Sequence, residues 1–245
     1  QEVVARILKR VDGRVPVVVG VSAPGFAQID KLTRAVMVLG AAGVMVAPPG
    51  SLRTDDQIVN YYQQVAEVLG DVPFVLQDFP LVTGVQIAPK VIARIVNELP
   101  TCVCLKHEDW PGLEKISALR ADGMLERPLS ILCGNGGLFL PAEMGRGADG
   151  AMTGFAYPEM MVQVVDLCSR GETGRAQDIF DAYLPLARFE QQPGLGLAIR
   201  KYTLAKRGII AHDAQRRPGV ALSETTRAEV DRLIARQEKR LKELN

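Results

Sequence analysis

Apolar positions in this chain come as short runs rich in Val and Ile. Each run closes in a polar or glycine-bearing turn and is followed by a stretch in which apolar residues recur every three to four positions. The short runs predict strands over Val15 to Val21, Gly43 to Ala47, Pro73 to Gln77, Cys102 to Lys106, Leu129 to Cys133 and Gly150 to Thr153. The stretches between them predict amphipathic helices over Ile29 to Leu39, Asp55 to Leu69, Pro89 to Leu99, Gly112 to Arg120 and Leu138 to Arg146, and the chain opens in a helical pattern, Glu2 to Arg10. Each connecting stretch is long enough for a right-handed crossover, so the alternation predicts parallel strands in βα units. Beyond Thr153 the pattern turns wholly helical, over Glu159 to Ser169, Thr173 to Leu186, Leu195 to Lys206 and Ser223 to Leu244, with a break at Gln191-Gln192-Pro193-Gly194.

Near-continuous apolar strands imply burial on both faces, which an α/β barrel and a doubly wound sheet satisfy equally well; six strands favour the sheet. The chain reads as one domain in which residues 1–155 carry the βα units and residues 156–245 carry a last helix and a C-terminal helical extension. Its 245 residues, 47% hydrophobic and 23% charged, suffice for a developed core.

Charge and cysteine usage narrow the function classes. Twenty-nine Lys and Arg against 28 Asp and Glu give a formal net charge of +1, which provides no bulk attraction to nucleic acid or an anionic membrane. The apolar runs are far too short to span a bilayer, and the expectation is a soluble, cytoplasmic protein. Cys102, Cys104, Cys133 and Cys168 are read as reduced, buried thiols, and two histidines, His107 and His212, leave little from which to build a metal site, so none is expected.

The segment with the strongest chemical character is Cys102-Val103-Cys104-Leu105-Lys106-His107-Glu108, an apolar strand ending in a lysine with a carboxylate two residues on. Strand alternation predicts Cys102, Cys104 and Lys106 on one face and Val103 and Leu105 on the other. Burial disfavours a charged amine, and imine chemistry requires the neutral one. A lysine that merely extends from a strand end into solvent explains the same residues. Gly134-Asn135-Gly136-Gly137 follows the fifth predicted strand, where bare backbone can approach a ligand or simply turn; it lacks the lysine and spacing of a phosphate loop. The pair Met160-Met161 is read as core or interface packing, and the basic run through Arg236, Lys239, Arg240 and Lys242 as a solvated helix face.

Several punctuated motifs occur in order: Asp12-Gly13-Arg14-Val15-Pro16, Ala47-Pro48-Pro49, Pro80-x-x-Thr83-Gly84, Cys104-Leu105-Lys106 and Gly147-Ala148-Asp149-Gly150. Together they make the chain, from Val4 onward, resemble the dihydrodipicolinate synthase/N-acetylneuraminate lyase family. The resemblance implies a TIM (β/α)8 barrel with a C-terminal helical extension, assembled as a homotetramer (a dimer of dimers). It also implies that Lys106 forms a Schiff base with a 2-keto acid, a covalent imine that needs no cofactor. A family barrel has two βα units ahead of Val15 to Val21, carrying the loop that holds the keto-acid carboxylate; these are absent from the sequence, and the expectation is a truncated or disordered N-terminus.

Departures from the family pattern redirect the reading. Where its synthases carry Tyr-Asn-x-Pro-x-Arg-Thr-Gly, this chain has Gln77-Asp78-Phe79-Pro80-Leu81-Val82-Thr83-Gly84, so an amide replaces the proton-relaying phenol and a valine replaces the carboxylate-binding arginine. Ala47-Pro48-Pro49-Gly50 likewise lacks the interface tyrosine. With Gly150-Ala151-Met152-Thr153-Gly154 and Tyr183-Leu184-Pro185-Leu186, the pattern resembles the sugar-acid dehydratase branch, as in the L-2-keto-3-deoxyarabonate dehydratases. That implies loss of water from a 2-keto-3-deoxy sugar acid. Lys106, Gln77 and Glu108 are the expected catalytic residues; Asp78, Thr83, Gly134, Asn135, Thr153 and Gly154 are the expected substrate contacts. A pyruvate-dependent C–C lyase of the same family and a non-catalytic keto-acid-binding protein are the alternatives.

Overall fold

Pairing in the sheet starts where the backbone first meets a donor. Pro16 has no N–H, and the Val17 carbonyl accepts the first bond, from Ala42 N–H at 2.8 Å. Strand β1 is therefore Val18–Gly20, shorter than the apolar run from Val15. β2 (Gly43–Val46), β3 (Phe74–Asp78), β4 (Cys102–His107) and β5 (Ser130–Cys133) follow in chain order, with parallel pairing from β1 through β4. The structure, a computed structural model, describes residues 1–110 and 112–244 and divides into two units, one of residues 1–132 with 146–148, the other of residues 133–145 and those from 149 onward.

In the first unit the helices are α1 (Glu2–Val11), α2 (Phe26–Val38), α3 (Asp55–Leu69), α4 (Pro80–Thr83), α5 (Pro89–Glu98) and α6 (Leu113–Leu119). Helix α3 starts where the sequence predicts because its N-terminus is specified twice over: the Thr54 hydroxyl accepts from Gln57 N–H, and the Gln57 side chain accepts from the Thr54 N–H in return; it stops at Gly70, which has φ 60°. Its inner face buries Ile58, Tyr62, Val65 and Leu69 against the strands, each contributing about 1.5–3 kcal/mol by removal from water. The Tyr62 ring stacks on Phe74 at 6.2 Å, and its hydroxyl donates to Val46 O at 3.2 Å. Gly43 opens β2 without a side chain because a Cβ there would stand 2.7 Å from the Pro73 carbonyl oxygen.

The expected alternation along β4 does not hold at its start. Cys102 pairs with Phe74 and Cys104 with Val75, so the register slips by one residue at Val103, a β-bulge. Phe74 and Val75 face opposite sides of the sheet, so Cys102 lies on the face of Leu105 and His107, opposite to Cys104 and Lys106.

The second unit begins within β5, at Cys133, whose carbonyl accepts from Met152 N–H at 2.8 Å just beyond β6 (Gly150–Ala151). β6 is shorter than the predicted Gly150 to Thr153. Six strands are present among the described residues, and no further pair that would complete eight. The remaining helices are α7 (Leu140–Gly145), α8 (Pro158–Ser169), α9 (Thr173–Glu190), α10 (Gly196–Lys206) and α11 (Glu224–Glu243). Their common core includes Phe155, Met160, Val164, Phe180, Leu186 and Ile199, so Met160 and Met161 are buried core residues. Helix α11 buries Val230 and Gln237 and leaves its basic positions outward. Among the described residues no helix is long and apolar enough to cross a membrane.

Candidate active site

Register places two strand ends side by side: Gln77 opposite Lys106, and Asp78 opposite His107. The ladder runs one step further, with Glu108 N–H donating to Asp78 O at 2.8 Å. On one face Lys106 Nζ lies 2.9 Å from Glu108 Oε1, and Gln77 Nε2 donates to the same oxygen at 2.7 Å. The Lys106 side chain is 14% exposed and that of Glu108 7%. A lysine, an amide and a carboxylate thus converge at the C-terminal ends of parallel strands, where βα architectures place their chemistry. The contact is short enough for the carboxylate to take a proton from the ammonium, and the amide holds the carboxylate in place.

The opposite face carries a second, fully enclosed group. Asp78, His107 and Lys115 are all buried, with Lys115 reaching in from α6. Its Nζ stands 2.8 Å from Asp78 Oδ2 and 2.8 Å from Asp109 Oδ2. His107 Nε2 donates to Gly112 O at 3.0 Å, and its Nδ1 lies 3.5 Å from Asp78 Oδ2. Gly112 has no side chain because a Cβ there would collide with the His107 ring. Burial pushes the Asp109 carboxyl up, but the Lys115 ammonium outweighs it and holds the group below its ordinary value. Asp78, expected to touch substrate, is committed to this cluster on the far side of the sheet from Gln77.

Thr83 is engaged locally. Its hydroxyl donates to Phe79 O at 3.0 Å and accepts from Val85 N–H at 3.2 Å, closing the short helix α4 at Gly84, which has φ 69°. Val82, at the position of the family's arginine, is 73% exposed.

The other expected contacts belong to the second unit and form a hydrogen-bonded group of their own. Asn135, Gly136 and Gly137 all have positive φ, and the turned loop offers Gly136 N–H to Thr153 Oγ1 at 2.8 Å. Gln191 packs where a side chain at Gly136 would be. The Gly154 carbonyl accepts from Arg200 Nη2 at 2.7 Å, and Arg200 is ion-paired with Glu190. Burial raises the Glu190 carboxyl, Arg200 opposing, and Glu190 Oε2 accepts from Ala156 N–H at 3.1 Å.

Lys115, His107 and the Glu190–Arg200 pair are not among the site residues expected from sequence. Lys115 does carry a signal: it precedes Ile116 and sits four residues before Leu119, a core-facing position on a helix where an unpaired lysine is costly.

The model of the dihydrodipicolinate synthetase family matches residues 1–237. The L-2-keto-3-deoxyarabonate dehydratase of Azospirillum brasilense is 30% identical over 230 residues, 91% of this chain and 72% of that protein. The 4-hydroxy-tetrahydrodipicolinate synthase of Thermus thermophilus is 33% identical over 172 residues, and the matched part spans 70% of this chain but 56% of that protein. The crystal structure of the dihydrodipicolinate synthase from Rhodopseudomonas palustris superposes with a TM-score of 0.92 at 57% identity, covering 96% of this chain and 79% of that one.

Proposed function

Because the chain belongs to the dihydrodipicolinate synthetase family, we propose that it is a Schiff-base lyase that removes water from a 2-keto-3-deoxy sugar acid through an imine on Lys106. One observation carries the reading: Lys106 Nζ and Gln77 Nε2 meet on a single oxygen of Glu108, at 2.9 and 2.7 Å. Lys106 attacks C2 of the keto acid once its ammonium proton has passed to Glu108; the same proton returns from Glu108 to the carbinolamine oxygen, which departs as water and leaves an iminium beside a free carboxylate. The iminium withdraws electrons and acidifies C3. Glu108 takes the C3 proton, and the C4 hydroxyl leaves as water with a proton returned from the same carboxyl. Hydrolysis of the imine restores Lys106. The imine is itself the electron sink, so these steps call for no cofactor.

Gln77 supports dehydration over synthase chemistry: an amide cannot relay protons as a phenol does, but it can hold the carboxylate that does so here. The likeness to the Azospirillum dehydratase supports the same choice. The likeness to the Rhodopseudomonas synthase favours a second reading, a lyase that makes or breaks a C–C bond from a pyruvate imine on the same lysine.

Borohydride reduction in the presence of a panel of 2-keto acids tests the imine. Mass is expected to appear on Lys106 and to vanish in Lys106→Ala, with water rather than pyruvate released from 2-keto-3-deoxy acids. Failure to trap any member of the panel on the intact chain would sink the proposal; release of pyruvate would select the second reading.

A further inference from the structure

Lys115 does not share a face with Lys106, yet it touches the residue next to each partner in the Glu108 contact. Asp78 follows Gln77, and Asp109 follows Glu108; Lys115 Nζ lies 2.8 Å from a carboxylate oxygen of both. Asp78 is also tied to the chain beyond β4 through its main chain, its carbonyl accepting from Glu108 N–H. The ammonium therefore bridges the two strand ends one residue beyond the point where Gln77 and Glu108 must meet. His107 completes the anchoring, with one ring nitrogen on the Gly112 carbonyl at the entrance of α6, the helix that carries Lys115.

We propose that Lys115 is a positioning residue for the lyase reaction: by clasping Asp78 and Asp109 it sets the distance between Gln77 and Glu108 and so the aim of the Glu108 carboxylate at the imine. The inference rests on the reading of Lys106 as the imine-forming residue. Its physical basis is burial on the far face. The side chain of Lys115 is 8% exposed and that of Asp78 0%, so water cannot replace the clasp when it is removed, and the two strand ends must shift to solvate or separate the carboxylates. A proton-transfer geometry displaced by a fraction of an ångström loses rate without losing the covalent intermediate.

Pyruvate separates the steps, because it forms an imine and then exchanges its methyl protons only if a base reaches C3. With the intact chain in deuterium oxide, borohydride should fix pyruvate on Lys106, and the methyl group should take up deuterium. Lys115→Met should still trap pyruvate but exchange it roughly tenfold to a hundredfold more slowly, and Lys115→Arg should recover much of that loss. Asp109→Asn, which opens one side of the clasp at a partly exposed position, should show the same split if Lys115→Met does not fold. An unchanged exchange rate per trapped imine in Lys115→Met, or in Asp109→Asn where that variant is the one used, overturns the positioning role. Absence of trapping by the unmodified chain would count against the functional reading instead.

Discussion

Replacing Glu108 by Gln isolates what the carboxylate does from what its shape does. The amide introduced by Glu108→Gln keeps the volume and an oxygen that can accept from Gln77 and Lys106, so the packing around a residue that is 5% exposed is preserved. What disappears is the charge and the proton acceptor. Between unit charges 2.9 Å apart, at an effective dielectric constant of about 20, the gross attraction is about 6 kcal/mol. Positioned acid–base catalysis contributes about 10²–10⁴ in rate, or about 3–5 kcal/mol of barrier. That attraction holds the carboxylate against the amine in the resting site, whereas the rate contribution comes from proton transfer, which an amide cannot perform. If the proposed dehydration holds, steady-state turnover of a 2-keto-3-deoxy acid should fall by about 10²–10⁴ in Glu108→Gln, while prolonged borohydride treatment still labels Lys106. A variant that labels Lys106 and turns over at the original rate would refute the assignment of both proton steps to Glu108.

Two further expectations concern the scaffold. In Gly43→Ala the new methyl meets the Pro73 carbonyl oxygen, backbone that also accepts from Val44 N–H, so β2 and β3 must part; thermal unfolding should drop by several degrees, about 1–3 kcal/mol, whereas Gly145→Ala, with open space around it, should leave the transition in place. An unchanged midpoint in Gly43→Ala would show that the strands yield freely. Burial pushes the Cys102 thiol up to about 12 and also raises Cys133, while Cys168 keeps intermediate exposure; a disulfide reagent at mildly alkaline pH should therefore modify Cys168 first, and equal labelling of Cys102 in the folded protein would contradict its burial.

Legibility of the fold follows local chemistry. The start of α3 is readable because Thr54 and Gln57 form a reciprocal cap, and its end because Gly70 follows; the apolar run overstates β1 because it continues through Val15 although Pro16 cannot pair. Lys106, Gln77 and Glu108 stand out by their place at strand ends and by family likeness, and register brings them together. The commitment of Asp78 to Lys115 cannot be read from spacing, since a lysine 37 residues away supplies the partner. Nor can the bulge at Val103, because an extra residue in an apolar run leaves the alternation of residue types intact.

That bulge makes β4 one residue longer than its partner requires. Deleting Val103, a residue 41% exposed, would join Cys102 to Cys104 in plain alternation and leave Lys106 still facing Gln77. Deleting Leu105 would instead turn the remainder of the strand over, presenting the lysine to the helix layer and the histidine to the chemistry. Length variation along this strand is thus tolerable at one address and ruinous two residues later, and the aim of the amine depends on a leucine whose own side chain lies on the other face of the sheet.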